Sequence, residues 1–190
     1  MKNERSRKPP RKAARSRGQT LGREAWISLA LDALSEEGIE GVRVELLARK
    51  LGITKGSFYH HFSDRDDLYA AMLEHWRRHN VIEVIADLKR TPDPRERFHR
   101  LLRLPFDDKR ADPDLEFSVR QWARRDARAF AALQAVDTLR LEFLRSVMRL
   151  CGVPSSEARG RAVLTLALLR GAPCIDKTLL TQCERLLIGA

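Results

Sequence analysis

Between residues 27 and 51 the apolar side chains return twice at offsets of 0, 3, 4 and 7, first as Ile27, Ala30, Leu31 and Leu34, then as Val44, Leu47, Ala48 and Leu51. Such offsets put four residues on one stripe of an α-helix. Gly38 and Gly52 follow the two runs, where a helix can close on a left-handed residue that side chains other than glycine adopt only with strain. Thr54 is an N-cap residue by type, and Ile53 before it can pack on Phe58 as a hydrophobic staple. A third short helix is therefore predicted over 55–61. Ser63, with Asp66 three residues on as its capping partner, opens a longer helix to about residue 80, with Leu68, Ala71, Met72 and His75 on one face.

Beyond residue 80, Pro92 and Pro94 interrupt the chain, and Phe98, Leu101 and Leu102 mark another amphipathic helix. A charged loop is expected over 105–113 and a helix over 114–125. Over 128–151 the pattern has two apolar faces, Val136, Leu139, Phe143, Val147 and Leu150 on one and Leu141, Leu144, Met148 and Cys151 on the other. One face can serve the core, which leaves one for a partner. Segment 157–170 is apolar almost all round in its centre, and a short helix follows over 178–187. No stretch alternates as a half-buried strand does, so the predicted fold class is all-α. The expected division is a basic disordered tail over 1–20, a three-helix helix-turn-helix domain over 21–67, and a helical ligand-binding and dimerisation domain over 68–190.

The net charge of +10 is concentrated at one end. Residues 1–23 hold nine Lys/Arg and one Glu, which leaves 27 basic against 25 acidic residues for the rest. A tail of this kind cannot build a core but can neutralise a polyanion, which makes nucleic acid the first candidate partner. The basic start runs into no apolar stretch of a secretory leader. The longest apolar run, 162–169, is far short of the roughly 20 residues of a membrane span, so no membrane role and a cytoplasmic location are expected. Cys151, Cys174 and Cys183 are odd in number and lack metal-ligand spacing, which fits reduced core thiols in a reducing compartment.

Two short helices joined by a glycine-containing turn, the second opening with small and polar residues, meet the requirements of a major-groove reader. The second offers Thr54, Lys55, Gly56, Ser57, Tyr59 and His60 outward, with Phe58 and Phe62 turned into the core. Thr54, Lys55 and Ser57 can donate hydrogen bonds to phosphates or bases, and Gly56 allows close backbone approach.

The run Leu51-Gly52-Ile53-Thr54-Lys55-Gly56-Ser57-Phe58-Tyr59-His60-His61-Phe62, with Gly38, Leu47, Ala48, Arg65, Leu68 and Tyr69 around it, resembles the amino-terminal domain of the TetR (tetracycline-repressor-like) family. The resemblance implies a regulator of transcription: a homodimer on a near-palindromic double-stranded DNA operator, acting as a repressor and released by a small-molecule effector. It also implies that Lys55, Tyr59 and His60 contact the DNA backbone, that Thr54 and Ser57 lie at or near the bases, and that Arg65 meets a phosphate. Arg43 departs from the family's usual small capping Thr or Ser, which weakens the cap and offers a further phosphate contact. The last two long helices of the family pair with those of a second subunit, a role that 128–151 and 157–170 fit.

Trp76, Phe98, Phe117 and Trp122 are the expected walls of an effector pocket, as aromatic residues near the centre of the second domain. His75 and His79 stand at a zinc-compatible i, i+4 spacing, but no third ligand is evident and Arg77 and Arg78 lie between them. No metal and no cofactor are expected. No phosphate loop, nucleophile elbow or zinc box is present, so no enzymatic activity is expected. A nonspecific nucleic-acid coat would account for the tail but not for the 51–62 run.

Overall fold

The computed structural model describes residues 22–108 and 112–189; the basic tail and part of the expected 105–113 loop lie outside the described residues. Among the described residues every regular element is helical, as the absence of strand alternation implies. Helix α1 (Arg23–Glu37) buries Trp26, Ile27, Ala30, Leu31 and Leu34 and ends at Gly38. Helix α2 (Val44–Leu51) buries Val44, Leu47 and Ala48. Gly52 follows in the left-handed conformation at φ 71°, ψ 30°, where a β-carbon would be strained. Its amide and that of Ile53 bond back to the Arg49 and Ala48 carbonyls, which turns the chain sharply after two helical turns.

The third helix differs from expectation in type. Lys55–His60 is a single 3-10 segment, and Thr54 occupies its N-cap position with extended backbone but makes no side-chain cap. With six residues and a glycine at its second position, the segment has too few i→i+4 partners to hold an α-helix against the tighter winding. The next cap is displaced by one residue. Asp64, not Ser63, caps α3 (Arg65–Arg77), accepting from the Asp67 amide at 2.8 Å, while the Ser63 amide donates to the Asp67 carboxylate at 3.1 Å. This is a reciprocal box built from two aspartates instead of Ser63 and Asp66.

Helix α3 does not stop near residue 80. A π turn (Arg78–Ile82) carries it into α4 (Glu83–Lys89). The extra residue of a π turn rotates the buried face of the following helix relative to the preceding one. Trp76 and Val81 thus belong to one core, and Leu88 to another. Helix α5 (Pro94–Asp107) starts on an Asp93 cap and runs through Pro105, so the first part of the expected loop is helical. Helix α6 (Pro113–Ala123) is capped by Asp112, and α7 (Ala127–Leu150) by Asp126. Helix α8 (Ser155–Arg170) and the short α9 (Leu180–Ile188) complete the chain.

Two hydrophobic cores result. The first gathers Trp26, Leu47, Phe58, Phe62, Leu68 and Trp76 together with Val119 and Trp122 of α6 and Val136 of α7. Packing therefore continues across the expected 67/68 boundary, and α6 lies against α1. The second core holds Phe98, Leu102, Leu144, Met148, Ala162 and Leu187.

Helix α7 does not keep a spare apolar face. Phe143 and Val147 from one predicted face and Leu144, Met148 and Cys151 from the other all enter the second core, while Leu150 is exposed. Uncovered apolar side chains include Val163 and Leu164 on α8, 50% and 63% exposed, with Phe130 and Leu150 on α7 and Leu186 on α9. The cysteines also divide: Cys151 is buried and its thiol is pushed up by that burial, Cys183 is half-buried, and Cys174 is exposed.

Candidate nucleic-acid interface and adjoining cavity

The Lys55–His60 segment is held from beneath by aromatic rings. Phe58 is 1% exposed and meets Trp26 edge-on, with ring centroids 5.3 Å apart, and Phe62 in a stack at 5.1 Å. The Phe58 carbonyl accepts from the His61 and Phe62 amides at 2.9 and 3.0 Å. One face of the segment is thereby fixed to α1, and the other faces solvent. Arg43, Thr54, Lys55, Gly56, Tyr59, His60 and Arg65 are exposed, and Ser57 is half-buried. In 3-10 winding, residues three apart share an edge, so Gly56 aligns with Tyr59 and Ser57 with His60.

Arg43 stands at the N-cap of α2 without a side-chain cap and is exposed. The Arg65 guanidinium lies over the Tyr69 ring at 5.1 Å, at the start of α3. The structure brings all eight residues of the predicted interface onto α2, α3 and the segment between them. Sequence reasoning missed Glu45. Its carboxylate pairs with the Lys55 ammonium, a contact that holds Glu45 below the ordinary carboxylate range and Lys55 above the ordinary lysine range. The Lys55 ammonium has three donors, so its pair with Glu45 leaves others for a further acceptor. The two stand ten residues apart, outside any helical spacing rule.

Of the four aromatic residues expected to wall a pocket, the structure buries Trp76 and Phe98 in the cores and places Phe117 and Trp122 on cavities. Trp76 and Phe98 are 1% and 0% exposed and lie inside the cores, because large apolar rings recover most from full burial. Trp122 packs edge-on against Tyr69 at 5.0 Å, and with Phe117 it lines a space of about 690 Å³ between the end of α1 and α6. Phe117 alone of the four also lines a second cavity, of about 310 Å³, between α4, α5, α6, α7 and α8. The apolar wall of this second cavity is mainly aliphatic, with Val84, Ile85, Leu88, Leu101, Leu104 and Leu166 beside Phe117 and Phe143.

Charged groups line the same cavity. Arg140 pairs with both oxygens of Glu116 at 2.9 and 3.1 Å, and Arg120 donates to Glu116 at 2.7 Å and to Asp137 at 3.1 Å. Arg170, the last residue of α8, pairs with Asp137 through Nη2. Burial raises the Glu116 carboxyl, and the Arg140 and Arg120 guanidiniums more than reverse it, leaving the group below its ordinary range. The i, i+4 pair Glu116–Arg120 was legible in the chain; its meeting with α7 and α8 was not.

The His75 and His79 rings, 4.1 Å apart and tilted by 41°, each direct Nδ1 to a carboxylate, Glu24 at 3.5 Å and Glu83 at 2.8 Å. Among the described residues no group of three His, Cys, Asp or Glu is arranged to hold a metal ion. None of the helices described is long and apolar enough to cross a membrane.

Two short helical segments about a tight turn, the second fixed by buried aromatics and exposing its amino-terminal residues, define a helix-turn-helix protein. Residues 27–72 match the family described as bacterial regulatory proteins, tetR family. The HTH-type transcriptional regulator RutR of Escherichia coli K12 is 36% identical over 59 residues, a match that spans 31% of this chain and 28% of RutR. A transcriptional regulator from Rhodococcus sp. Rha1 has the same fold, with a TM-score of 0.71 at 22% identity over 88% of this chain and 94% of that one. AibR, solved in complex with isovaleryl coenzyme A and operator DNA, superposes with a TM-score of 0.65 at 16% identity over 88% and 98% of the two chains. The amino-terminal part of the chain, residues 27–72, is thus similar to the bacterial regulatory proteins of the tetR family.

Proposed function

We propose that the chain is a sequence-specific DNA-binding regulator of transcription, a repressor that binds a near-palindromic operator as a homodimer and leaves it when a small molecule occupies the helical domain. One observation carries the reading. The Lys55–His60 segment presents Thr54, Lys55, Gly56, Tyr59 and His60 to solvent while Phe58 locks its reverse side to α1, the arrangement by which a short helix enters a major groove. Residues 21–67 are assigned the DNA-binding role and 68–190 the effector and dimer roles. The tail over 1–20 adds phosphate contacts without sequence preference.

Arg43, Lys55, Tyr59, His60 and Arg65 are assigned to phosphates, and Thr54 and Ser57 to base edges, with Gly56 allowing the backbone to approach. The similarity to AibR, solved with both operator DNA and isovaleryl coenzyme A, supports pairing a DNA face with a ligand cavity in one chain. The continuous α3–α4 helix runs from the first core to the cavity wall, so its tilt is the natural lever between the two sites. The regulator acts on DNA in the cytoplasm, and the reading involves no metal, cofactor or enzymatic step.

Selection of bound sequences from random DNA is the direct test. Two related half-sites about one helical turn apart, 10 to 10.5 base pairs centre to centre or a multiple of it, are the expected product. A pool that binds with no enriched sequence would reduce the protein to a nonspecific coat.

A further inference from the structure

The cavity between α4 and α8 joins an aliphatic wall to a cluster of three guanidiniums that share two carboxylates. Arg120, Arg140 and Arg170 meet Glu116 and Asp137 through the contacts given above. The five groups carry a net charge of one positive unit. Both carboxylates are committed: Glu116 receives donors from Arg120 and Arg140, and Asp137 from Arg120 and Arg170. A cationic ligand would have to break these pairs and would leave a guanidinium without its partner, at a desolvation cost that a single new contact does not recover.

The guanidiniums are not equally occupied. Arg140 is paired at both ends of its fork to Glu116, and Arg120 is shared between two carboxylates. Arg170 lines the cavity, is 36% exposed in its side chain, and contacts Asp137 through one nitrogen. A guanidinium has five donors. The two other acids on the wall, Asp112 and Asp108, offset this excess over the cavity as a whole, but Asp112 is committed to the Asp114 and Leu115 amides as the cap of α6 and Asp108 is partnered, so the excess is local to the arginine cluster.

On the reading that this cavity is the effector site, we propose that its ligand is an amphipathic anion, with a hydrocarbon tail along Val84, Leu88, Leu101 and Leu166 and an anionic head group on Arg170. Within the arginine cluster the anion supplies the negative charge that the third guanidinium lacks, and the fork geometry of Arg170 suits a carboxylate or phosphate oxygen pair. Those four residues offer the tail aliphatic carbon. The anion can belong to a free carboxylic acid or to the phosphates of an acyl thioester, and the two sources differ in bulk outside the tail.

Four probes with one ten-carbon tail separate these cases: decanoate, decanoyl coenzyme A, decanol and decyltrimethylammonium, each titrated calorimetrically into the full chain below its micellar concentration. At least one of the two anions should bind about ten-fold or more tighter than decanol and the cation, the usual worth of a charge-assisted hydrogen bond in a half-buried site. Decanoate in front identifies a free acid, and decanoyl coenzyme A in front identifies a thioester.

Arg170→Gln should bring the favoured anion down to the level of decanol and leave decanol itself unchanged, and Arg170→Lys should restore part of the preference. Equal or tighter binding by the cation or the alcohol, no binding by either anion, or an unchanged anion preference in Arg170→Gln would each overturn the proposal. Operator affinity measured in parallel keeps the two ideas apart. An anion that binds through Arg170 without altering DNA affinity contradicts effector release and upholds the head-group assignment.

Discussion

Phe58→Ala should destabilise the protein by about 3–5 kcal/mol, the range for truncating a fully buried aromatic side chain, and abolish operator binding. Phe58 is 1% exposed and touches the Trp26 and Phe62 rings. Its removal leaves a void where the Lys55–His60 segment is pinned to α1. The segment carries no side-chain cap, so little else fixes its orientation. Denaturant unfolding gives the stability change, and a loss below about 1 kcal/mol, less than the ordinary cost of such a void, would show that the segment is held by other means.

Leu164→Glu should convert the proposed homodimer to monomers at micromolar concentration. Leu164 and Val163 form an uncovered apolar patch on α8, and in a two-fold interface each substitution appears twice, placing two unpaired carboxylates in one buried contact. Operator affinity should fall with the dimer, by about 10²- to 10⁴-fold, because the second half-site is no longer bound at the effective concentration that linkage provides. Sedimentation reads the assembly directly. A wild-type chain that sediments as a stable monomer at micromolar concentration would remove α8 from the interface, and the change at Leu164 would then be silent.

The helix-turn-helix was legible because its signals are local. The stripe spacing of Ile27 to Leu34 and Val44 to Leu51, the glycine at 52 and the inward Phe58 and Phe62 depend on neighbours within one or two turns. The structure keeps each of them. What the same signals could not decide was a competition between close alternatives. Asp64 outdoes Ser63 as a cap by one position, since it accepts the Asp67 amide while Asp67 holds the Ser63 amide. Lys55–His60 winds as 3-10 although its residue types suit either helix.

Long-range features were less readable for a different reason. An aromatic residue near the middle of a domain signals burial, and burial in a core or against a cavity gives one pattern in the chain. Trp76 and Phe98 went to cores, and the apolar wall of the cavity between α4 and α8 is mainly aliphatic. The two apolar faces of α7 were real, but neighbouring helices cover most of both, and the adjacent exposed pair Val163 and Leu164 lies on α8. The π turn at Arg78–Ile82, which turns α4 toward the cavity, has no sequence signature comparable to a proline or a glycine.

The central claim is that the Lys55–His60 segment and its cap residue read sequence. Its most direct test is the binding of four single variants to a panel of single-base operator variants and to random DNA. Lys55→Ala and Tyr59→Phe remove groups assigned to phosphates and should lower affinity for every sequence together. Thr54→Ala and Ser57→Ala remove groups assigned to base edges and should each relax preference at one position, repeated symmetrically in both half-sites, by about 1–3 kcal/mol. A uniform loss for all four would contradict direct readout by this segment, and unchanged affinity for all four would contradict the DNA-binding assignment itself.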